Sequence, residues 1–169
     1  PLRLALLDDF IANTNSYAAT ALPEQELATM LGGPGPLSFS RVNATARTGS
    51  SPTLAAISAL PRLIVSRPDF ALLAVGSEAL RNDQTPVAWC RTLLFLAQAC
   101  QAAGIEPILV ALPELPDLPA ATSRSAALLT KELGLSLGIA VIDLYSRQRL
   151  NRVESAAWYQ HEELDLPTP

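Results

Sequence analysis

Short apolar runs alternate along this sequence with longer segments in which apolar residues recur at helical spacing. The runs occupy residues 2–7, broken only by Arg3, 70–75, 107–112 and 140–145, which contains Asp143. The less apolar segment 37–42 is a plausible further strand, the second along the chain. Short, continuous apolar runs bounded by turn residues are typical of strands that are buried on both faces of a parallel sheet. The run 70–75 follows Pro68-Asp69 and stops at Gly76, and we predict that it is the middle strand.

The segments between these runs predict helices. Apolar positions at helical spacing, with proline near the start and glycine after the end, indicate helices at 23–31, 53–66, 85–103 and 120–133. Thr85 is expected to cap the third of these helices, and Gly134 is expected to end the fourth. Pro61 is expected to kink or break the second helix, because proline removes a helical hydrogen bond.

Strands that alternate with helices form βαβ units, and right-handed crossovers place their helices on both faces of the sheet. The predicted fold class is therefore α/β, a three-layer α/β/α sandwich around a parallel sheet. A chain of 169 residues with 49% hydrophobic residues suits one domain with a full core. We predict a single domain over 1–169; the irregular, acidic segment 158–169 leaves open whether a final helix is lacking.

Charge and hydropathy exclude two classes of partner. The net charge is −4, and the 12 basic residues are scattered along the chain, whereas nucleic-acid binding proteins concentrate theirs in a patch. The apolar runs are far shorter than the ~20 residues that a membrane-spanning helix needs. We therefore expect a soluble protein with no nucleic-acid partner and no membrane span. The sequence does not fix the compartment, for which our expectation is the bacterial cytoplasm or periplasm.

The cysteine and histidine content argues against a disulfide and against zinc. Cys90 and Cys100 lie in one predicted helix, about 15 Å apart along its axis, so they cannot pair with each other. One histidine and no closely spaced cysteine pair make a zinc site unexpected. No cofactor is predicted.

Acidic and polar residues follow the first and third predicted strands. Asp8 and Asp9 end the first strand, and Gly76-Ser77-Glu78 follows the third. Ligands of parallel α/β sheets bind beyond the carboxyl ends of the strands, so we expect these residues to share one site. Clustered carboxylates raise one another's pKa or hold a hard cation such as Mg²⁺ or Ca²⁺. Acids in such places also commonly stay solvated or cap helices.

Two stretches resemble known sequence blocks. Val-Asn-Ala-Thr-Ala-Arg-Thr-Gly-Ser-Ser at 42–51 and Arg-Pro-Asp-Phe-Ala-Leu-Leu-Ala-Val-Gly-Ser-Glu-Ala-Leu at 67–80 resemble the second and third blocks of SGNH (GDSL-type) hydrolases. Ile-Leu-Val-Ala-Leu-Pro at 108–113 and Val-Ile-Asp-Leu-Tyr at 141–145 resemble the family's fourth and fifth strands. The resemblance implies a flavodoxin-like five-stranded sheet and an ancestry among enzymes that act on esters, acyl groups and acetylated glycans.

The resemblance also assigns site positions, and the residue types there depart from the family pattern. The family's catalytic positions are matched by Asp9 for the serine, Glu78 for the oxyanion-hole asparagine, and Glu162 and Asp165 for the final aspartate and histidine. A shift of one residue would place Glu163 and Leu166 at the last two positions. The neighbouring candidate ligand-binding residues are Asp8, Thr45, Gly76 and Ser77, with Thr45 at the family's oxyanion-hole glycine.

Four functional hypotheses follow. The first is a non-catalytic, pseudo-hydrolase domain that binds a small molecule, a glycan or a neighbouring protein domain. The second is a hydrolase with an acidic or metal-assisted site. The third is an ordinary hydrolase at a different register, with His161 as a displaced base or with Ser16 or Ser77 as the nucleophile. A receiver-type signalling domain is disfavoured, because Gly76 and Ser146 stand where it needs aspartate and lysine.

Overall fold

The computed structural model describes residues 2–9, 37–46, 50–115 and 117–150. Its strands are β1 (Leu2–Asp8), β2 (Leu37–Asn43), β3 (Phe70–Ala74), β4 (Glu106–Ala111) and β5 (Val141–Asp143). Its helices are α1 (Pro52–Val65), α2 (Ser77–Arg81), α3 (Pro86–Ala102) and α4 (Ala120–Leu137). A further helical segment occupies 144–150. Each of the five predicted strands is present.

The strands form one parallel sheet in the order β2-β1-β3-β4-β5, which is the flavodoxin-like order. The predicted middle strand, β3, lies at the centre, between β1 and β4. The connections from β2 to β3, β3 to β4 and β4 to β5 all advance in the same direction across the sheet. Right-handed crossovers therefore place α1, α3 and α4 on one face of it.

A row of leucines fixes the centre of the core. Leu7 is aligned with Leu73 in the β1–β3 register, and Leu73 is aligned with Leu109 in the β3–β4 register. All three side chains are fully buried. The helices cover this row with fully buried leucines of their own, among them Leu63 in α1 and Leu96 in α3. Burial of side chains of this size stabilises the fold by roughly 1.5–3 kcal/mol each.

Helix α3 agrees with its sequence signals. The Thr85 hydroxyl accepts a hydrogen bond from the Ala88 amide, which is the predicted cap. Cys90 and Cys100 both lie in α3 as free thiols. Burial raises the pKa of the Cys100 thiol to about 11, so this cysteine acts as a small apolar core residue.

Two predicted boundaries are wrong at the C-terminal end of the fold. Helix α4 continues through Gly134 and ends before Gly138, which has a left-handed backbone (φ 66°). Gly134 is instead a site of close packing, since a Cβ atom there would lie 2.2 Å from Val141 Cγ2. Strand β5 is also shorter than predicted, because the Asp143 side chain accepts a hydrogen bond from the Ser146 amide and starts the helical segment 144–150.

Two further local features concern α1 and α2. Pro61 lies inside the continuous helix α1, so the predicted break is absent and the predicted kink stays untested. The short helix α2 was not predicted, because its five residues are too few to show an apolar periodicity.

Several predictions fall on residues outside the described part of the chain. These are the helix at 23–31, the candidate nucleophile Ser16, the irregular segment 158–169, and the acids and histidine of the last block: His161, Glu162, Glu163 and Asp165. Within the described residues, no helix has both the length and the apolar content needed to cross a bilayer.

Candidate functional site

The carboxyl ends of β1 and β3 meet beside one another, and they bring together the acidic residues predicted from the sequence. Asp8 ends β1 and is followed by Asp9, while Gly76 and Ser77 lie at the turn between β3 and α2. Because β1 and β3 are paired in parallel, the residues that follow them share one edge of the sheet.

The carboxyl group of Asp9 is held by the turn that follows β3. Its Oδ2 accepts hydrogen bonds from the amides of Gly76 (2.8 Å) and Glu78 (3.3 Å). Its Oδ1 accepts from the Ser77 amide (3.2 Å) and from the Ser77 hydroxyl (2.9 Å). Three successive backbone N–H groups and one hydroxyl thus donate to a single carboxyl group, which joins β1 to α2.

This contact lies in the interior of the protein. Asp9 is 4% exposed and Ser77 is fully buried. Burial raises the pKa of Asp9 above its ordinary value of 3.8, and the hydrogen bonds from Gly76, Ser77 and Glu78 oppose that rise. Desolvation is the larger effect, because a buried carboxylate loses the solvation of its charge.

Gly76 makes this turn possible in two ways. Its φ of 122° belongs to a backbone region that residues with a side chain rarely adopt. A Cβ atom at this position would lie 2.5 Å from two atoms of the Trp89 indole ring. Trp89, predicted as a core residue of α3, is buried and closes the space behind the turn.

Glu78 connects the same turn to the segment that follows β2. Its Oε2 accepts a hydrogen bond from the Ala46 amide at 2.7 Å, and its side chain is largely buried. The neighbouring Thr45 donates its own amide to the Asn43 side chain (2.6 Å). The Thr45 hydroxyl oxygen is buried and has no hydrogen-bond partner within the described part of the chain.

Asp8 serves a different contact from Asp9. Its two carboxylate oxygens accept hydrogen bonds from Arg41 Nε (2.6 Å) and Arg41 Nη2 (2.9 Å) on the neighbouring strand β2. Asp8 is fully buried, so this bidentate pair places a charged link between β1 and β2 at the edge of the site.

The three acids that the structure describes at this edge therefore do not converge on a common point. Asp8 bonds to Arg41, Asp9 to the turn after β3, and Glu78 to the Ala46 amide. Among the described residues, no group of three or more acids, cysteines or histidines is placed to hold a metal ion. Arg81, which ends α2, forms an ion pair with Asp117.

Three contributors to the site were missed at the sequence level. The Ala46 amide is a backbone donor, and the alanine side chain gives no sign of it in the sequence. Trp89 was expected only in the core. Arg41 carried a usable signal, because a basic residue near the end of an otherwise uncharged strand, beside a buried acid on the neighbouring strand, predicts an ion pair.

Sequence comparisons find no matching family model and no matching curated protein. Comparison of structures does find matches. A lipase/acylhydrolase from Enterococcus faecalis is 17% identical, with a TM-score of 0.70 over 89% of this chain and 80% of that one. A member of the lipolytic G-D-S-L family from Veillonella parvula is 15% identical, with a TM-score of 0.70 over 90% and 84%.

The acetyl xylan esterase AlAXEase is 12% identical and has a TM-score of 0.72, over 92% of this chain and 84% of that one. The chain has the SGNH hydrolase fold. These matches confirm the predicted fold class and the predicted similarity of this fold to that of SGNH (GDSL-type) hydrolases.

Within the SGNH fold, Asp9 and Glu78 lie at the strand ends where the resemblance places catalytic residues. Their equivalence to the family's serine and asparagine stays a prediction, as do the roles assigned to Asp8, Thr45, Gly76 and Ser77. Glu162 and Asp165 lie outside the described residues.

The buried environment of Asp9 predicts an unusual pH dependence for the variant Asp9→Asn. The side-chain NH₂ group of asparagine would face N–H donors, which costs about 1–3 kcal/mol. Because the pKa of Asp9 is raised in the folded state, the native protein binds this proton more tightly than the unfolded chain does. The stability that Asp9 contributes is therefore lost as pH rises from about 3.8 through its folded pKa. The loss of unfolding free energy caused by Asp9→Asn should therefore become smaller as pH rises over that range.

Urea unfolding of both proteins between pH 3.5 and 7 measures this trend. Asp69→Asn is the matched control, because hydrogen bonds from Arg3 lower the pKa of Asp69. The cost of Asp69→Asn should grow as pH rises. A cost of Asp9→Asn that also grew with pH would show that the hydrogen bonds to Asp9 outweigh its burial.

Proposed function

We propose that this SGNH-like domain is non-catalytic and that its cleft serves binding or contact with a partner. The observation that supports the proposal is the hydrogen bonding of Asp9. The group at the predicted nucleophile position is a buried carboxyl, and it already accepts hydrogen bonds from the amides of Gly76, Ser77 and Glu78.

Acyl transfer by a serine hydrolase requires free donors at the position where negative charge develops in the transition state. Here the amides after β3 donate to Asp9, and the Ala46 amide after β2 donates to Glu78. Glu78 also replaces a donor side chain by an acceptor. An incoming oxyanion would therefore have to displace the protein's own carboxyl groups.

The hydroxyl nearest to these donors is poorly placed to act as a nucleophile. Ser77 Oγ is fully buried and donates its proton to Asp9. A serine nucleophile needs a base that removes this proton during attack on a substrate, together with access to the substrate. The second requirement is not met, because the Ser77 hydroxyl is enclosed in the protein interior.

The candidate ligands are a small molecule, a glycan or a neighbouring protein domain. One of the similar structures is an acetyl xylan esterase, which is named for a glycan substrate. Glycans are therefore among the first ligands to test. The predicted ligand-binding positions are Asp8, Thr45, Gly76 and Ser77. Asp8 and Ser77 are fully buried and bonded inside the protein. Thr45 is therefore the position that we retain for a ligand contact, because its hydroxyl has no hydrogen-bond partner among the described residues.

Labelling with a fluorophosphonate probe tests the absence of a serine nucleophile. We expect no adduct by intact-protein mass spectrometry, and hydrolysis of p-nitrophenyl acetate and butyrate at the rate of buffer. Loss of the serine or histidine from a serine-protease triad lowers turnover by about 10⁶, which makes background hydrolysis the expected result. An active esterase of the SGNH fold serves as the positive control.

Two variants make the result decisive. A stoichiometric adduct that disappears in Ser16→Ala or in Ser77→Ala would identify a working nucleophile and overturn the proposal. An adduct that both variants retain would also overturn the proposal, and it would show that the nucleophile is another serine.

A second candidate is a hydrolase that uses carboxyl groups as acid and base. The raised pKa of Asp9 favours it, because a protonated carboxyl group can donate a proton to a leaving group. Ester or glycoside hydrolysis that resists fluorophosphonate and is lost in Asp9→Asn would support this candidate over the first.

A further inference from the structure

A cavity opens at the other half of the sheet, beyond the carboxyl ends of β4 and β5. It has a volume of about 760 Å³. It is lined by Glu114, Ala120, Ala121, Arg124, Ser125, Leu128, Tyr145 and Arg149. We call it the α4 groove, since most of these residues belong to the first turns of α4. It shares no lining residue with the site around Asp9.

The α4 groove carries two guanidinium groups that make no ion pair with any described residue. Neither Arg124 nor Arg149 takes part in the salt bridges of the described chain, which join Arg3, Arg41, Arg81 and Lys131 to acids. Arg149 lies over the ring of Tyr145, 5.9 Å from its centroid. With one acid, Glu114, the lining has an excess of positive charge in a protein whose net charge is −4.

The backbone adds to this positive character. Helix α4 has 18 residues, and its N-cap residue is Pro119, whose side chain makes no cap hydrogen bond. No acidic residue lies in its first turn. The Thr122 and Ser123 amides donate to the Pro119 carbonyl, whereas Ala120 and Ala121, at the very start of the helix, line the groove. An uncapped helix start favours negative charge nearby.

The lining also has an apolar part, formed by Tyr145 and Leu128. Tyr145 is buried and packs with Ala111 and Ala127 in a small core cluster below the groove. Leu128 extends the apolar wall from α4 and is about half exposed. The Glu114 amide donates to the Gln148 side chain at 2.7 Å, which ties the segment after β4 to the helical segment after β5.

We propose that the α4 groove binds a small molecule with an apolar body and an anionic head, either a carboxylate or a phosphate. Arg124 and Arg149 bind the head, with the amides at the start of α4 close by, and Tyr145 and Leu128 contact the apolar body. Arginine suits this role because its planar fork of donors matches both oxyanions. The site is independent of the chemistry proposed for Asp9.

Titration of the full chain, followed by ¹⁵N–¹H NMR, tests the proposal. The probes are benzoate and phenyl phosphate, with benzamide as the neutral analogue. We expect saturable shifts of the Ala121 and Ser125 amides with at least one anionic probe, and at least tenfold weaker binding of benzamide. Saturation with benzoate alone assigns a carboxylate ligand, and saturation with phenyl phosphate alone assigns a phosphate ligand.

The variants Arg124→Gln and Arg149→Gln should each weaken binding of the preferred probe by about tenfold, the effect of losing a charge-assisted contact worth ~1.4 kcal/mol. Arg91→Gln is the matched control, because Arg91 is an exposed arginine of α3 that does not line the groove. The control should bind as the unmodified protein does.

Three results would overturn the proposal. The first is the absence of saturable shifts up to 10 mM of either anion. The second is an equal loss of affinity in all three arginine variants, Arg91→Gln included, which would indicate a nonspecific charge effect. The third is a shift of the groove amides on replacing Glu162 and Glu163 by glutamine without added probe, because the groove would then be occupied by this chain's own acidic segment.

Discussion

Replacement of Gly76 by alanine is expected to destabilise the domain by about 3–5 kcal/mol. The new methyl group would meet the Trp89 indole at 2.5 Å, and Trp89 is 3% exposed, so it has no space into which to move. Such overpacking costs roughly 1–3 kcal/mol. The backbone at φ 122° adds a further ~1–3 kcal/mol once a Cβ atom is present.

Urea denaturation followed by far-ultraviolet circular dichroism measures this loss. Gly104→Ala is the matched control, since Gly104 also has a positive φ (73°) but no atom lies within 4 Å of a Cβ built there. The control should lose only about 1–2 kcal/mol, the cost of a left-handed backbone. Similar losses in the two variants would mean that the contact with Trp89 contributes nothing, and that the turn after β3 is not fixed by packing.

Most of the strands could be predicted from sequence because they are short, largely apolar runs in a sheet that is covered by helices; β2, with its serines and Arg41, is less apolar. The same rule fails at helix ends when a residue has a second physical role. Gly134 resembles a helix stop, yet it lies inside α4 because its missing side chain lets Val141 approach. Asp143 resembles a strand residue, yet its side chain caps the helical segment that follows.

The site could be predicted in part. The positions of Asp8, Asp9 and Glu78 follow from the strand ends, and the structure brings Asp9 and Glu78 into contact with the same turn. Their partners could not be predicted, because most of them are backbone amides, and the amides of Ala46 or Ser77 are the same whatever the side chain. Of the five acids expected to cluster, the three that the structure describes each satisfy a different donor, and the hypothesis stays a prediction for Glu162 and Asp165.

This arrangement links the fold to the proposed loss of catalysis. An acid at position 9 is tolerated in the interior only because the turn after β3 supplies donors to it. Those donors in turn depend on Gly76 and on the position of α2. Replacing Asp9 by serine would leave these three amides without their internal acceptor, so we expect that change to destabilise the turn after β3.

Replacement of Arg41 by glutamine is expected to cost about 2–4 kcal/mol. The two hydrogen bonds from Arg41 to the fully buried Asp8 would be lost, and removing one member of a buried pair leaves a poorly solvated charge. The side chain of Arg41 is 26% exposed, which lets water reach part of the pair and places the loss below that of a fully enclosed one. Thermal and urea unfolding at low and at high salt measure it.

Arg3→Gln is the matched control for this prediction, because Arg3 on β1 pairs with Asp69 in a site where both side chains are about half exposed. Exposed pairs contribute about 0–1 kcal/mol, and salt screens them. The Arg3 amide, which also donates to Asp69, is unchanged in this variant. Equal losses for the two variants would contradict the view that Asp8 is held as a buried charge. A larger, salt-insensitive loss for Arg41→Gln would establish the Asp8–Arg41 pair as the link that fixes β2 beside the site.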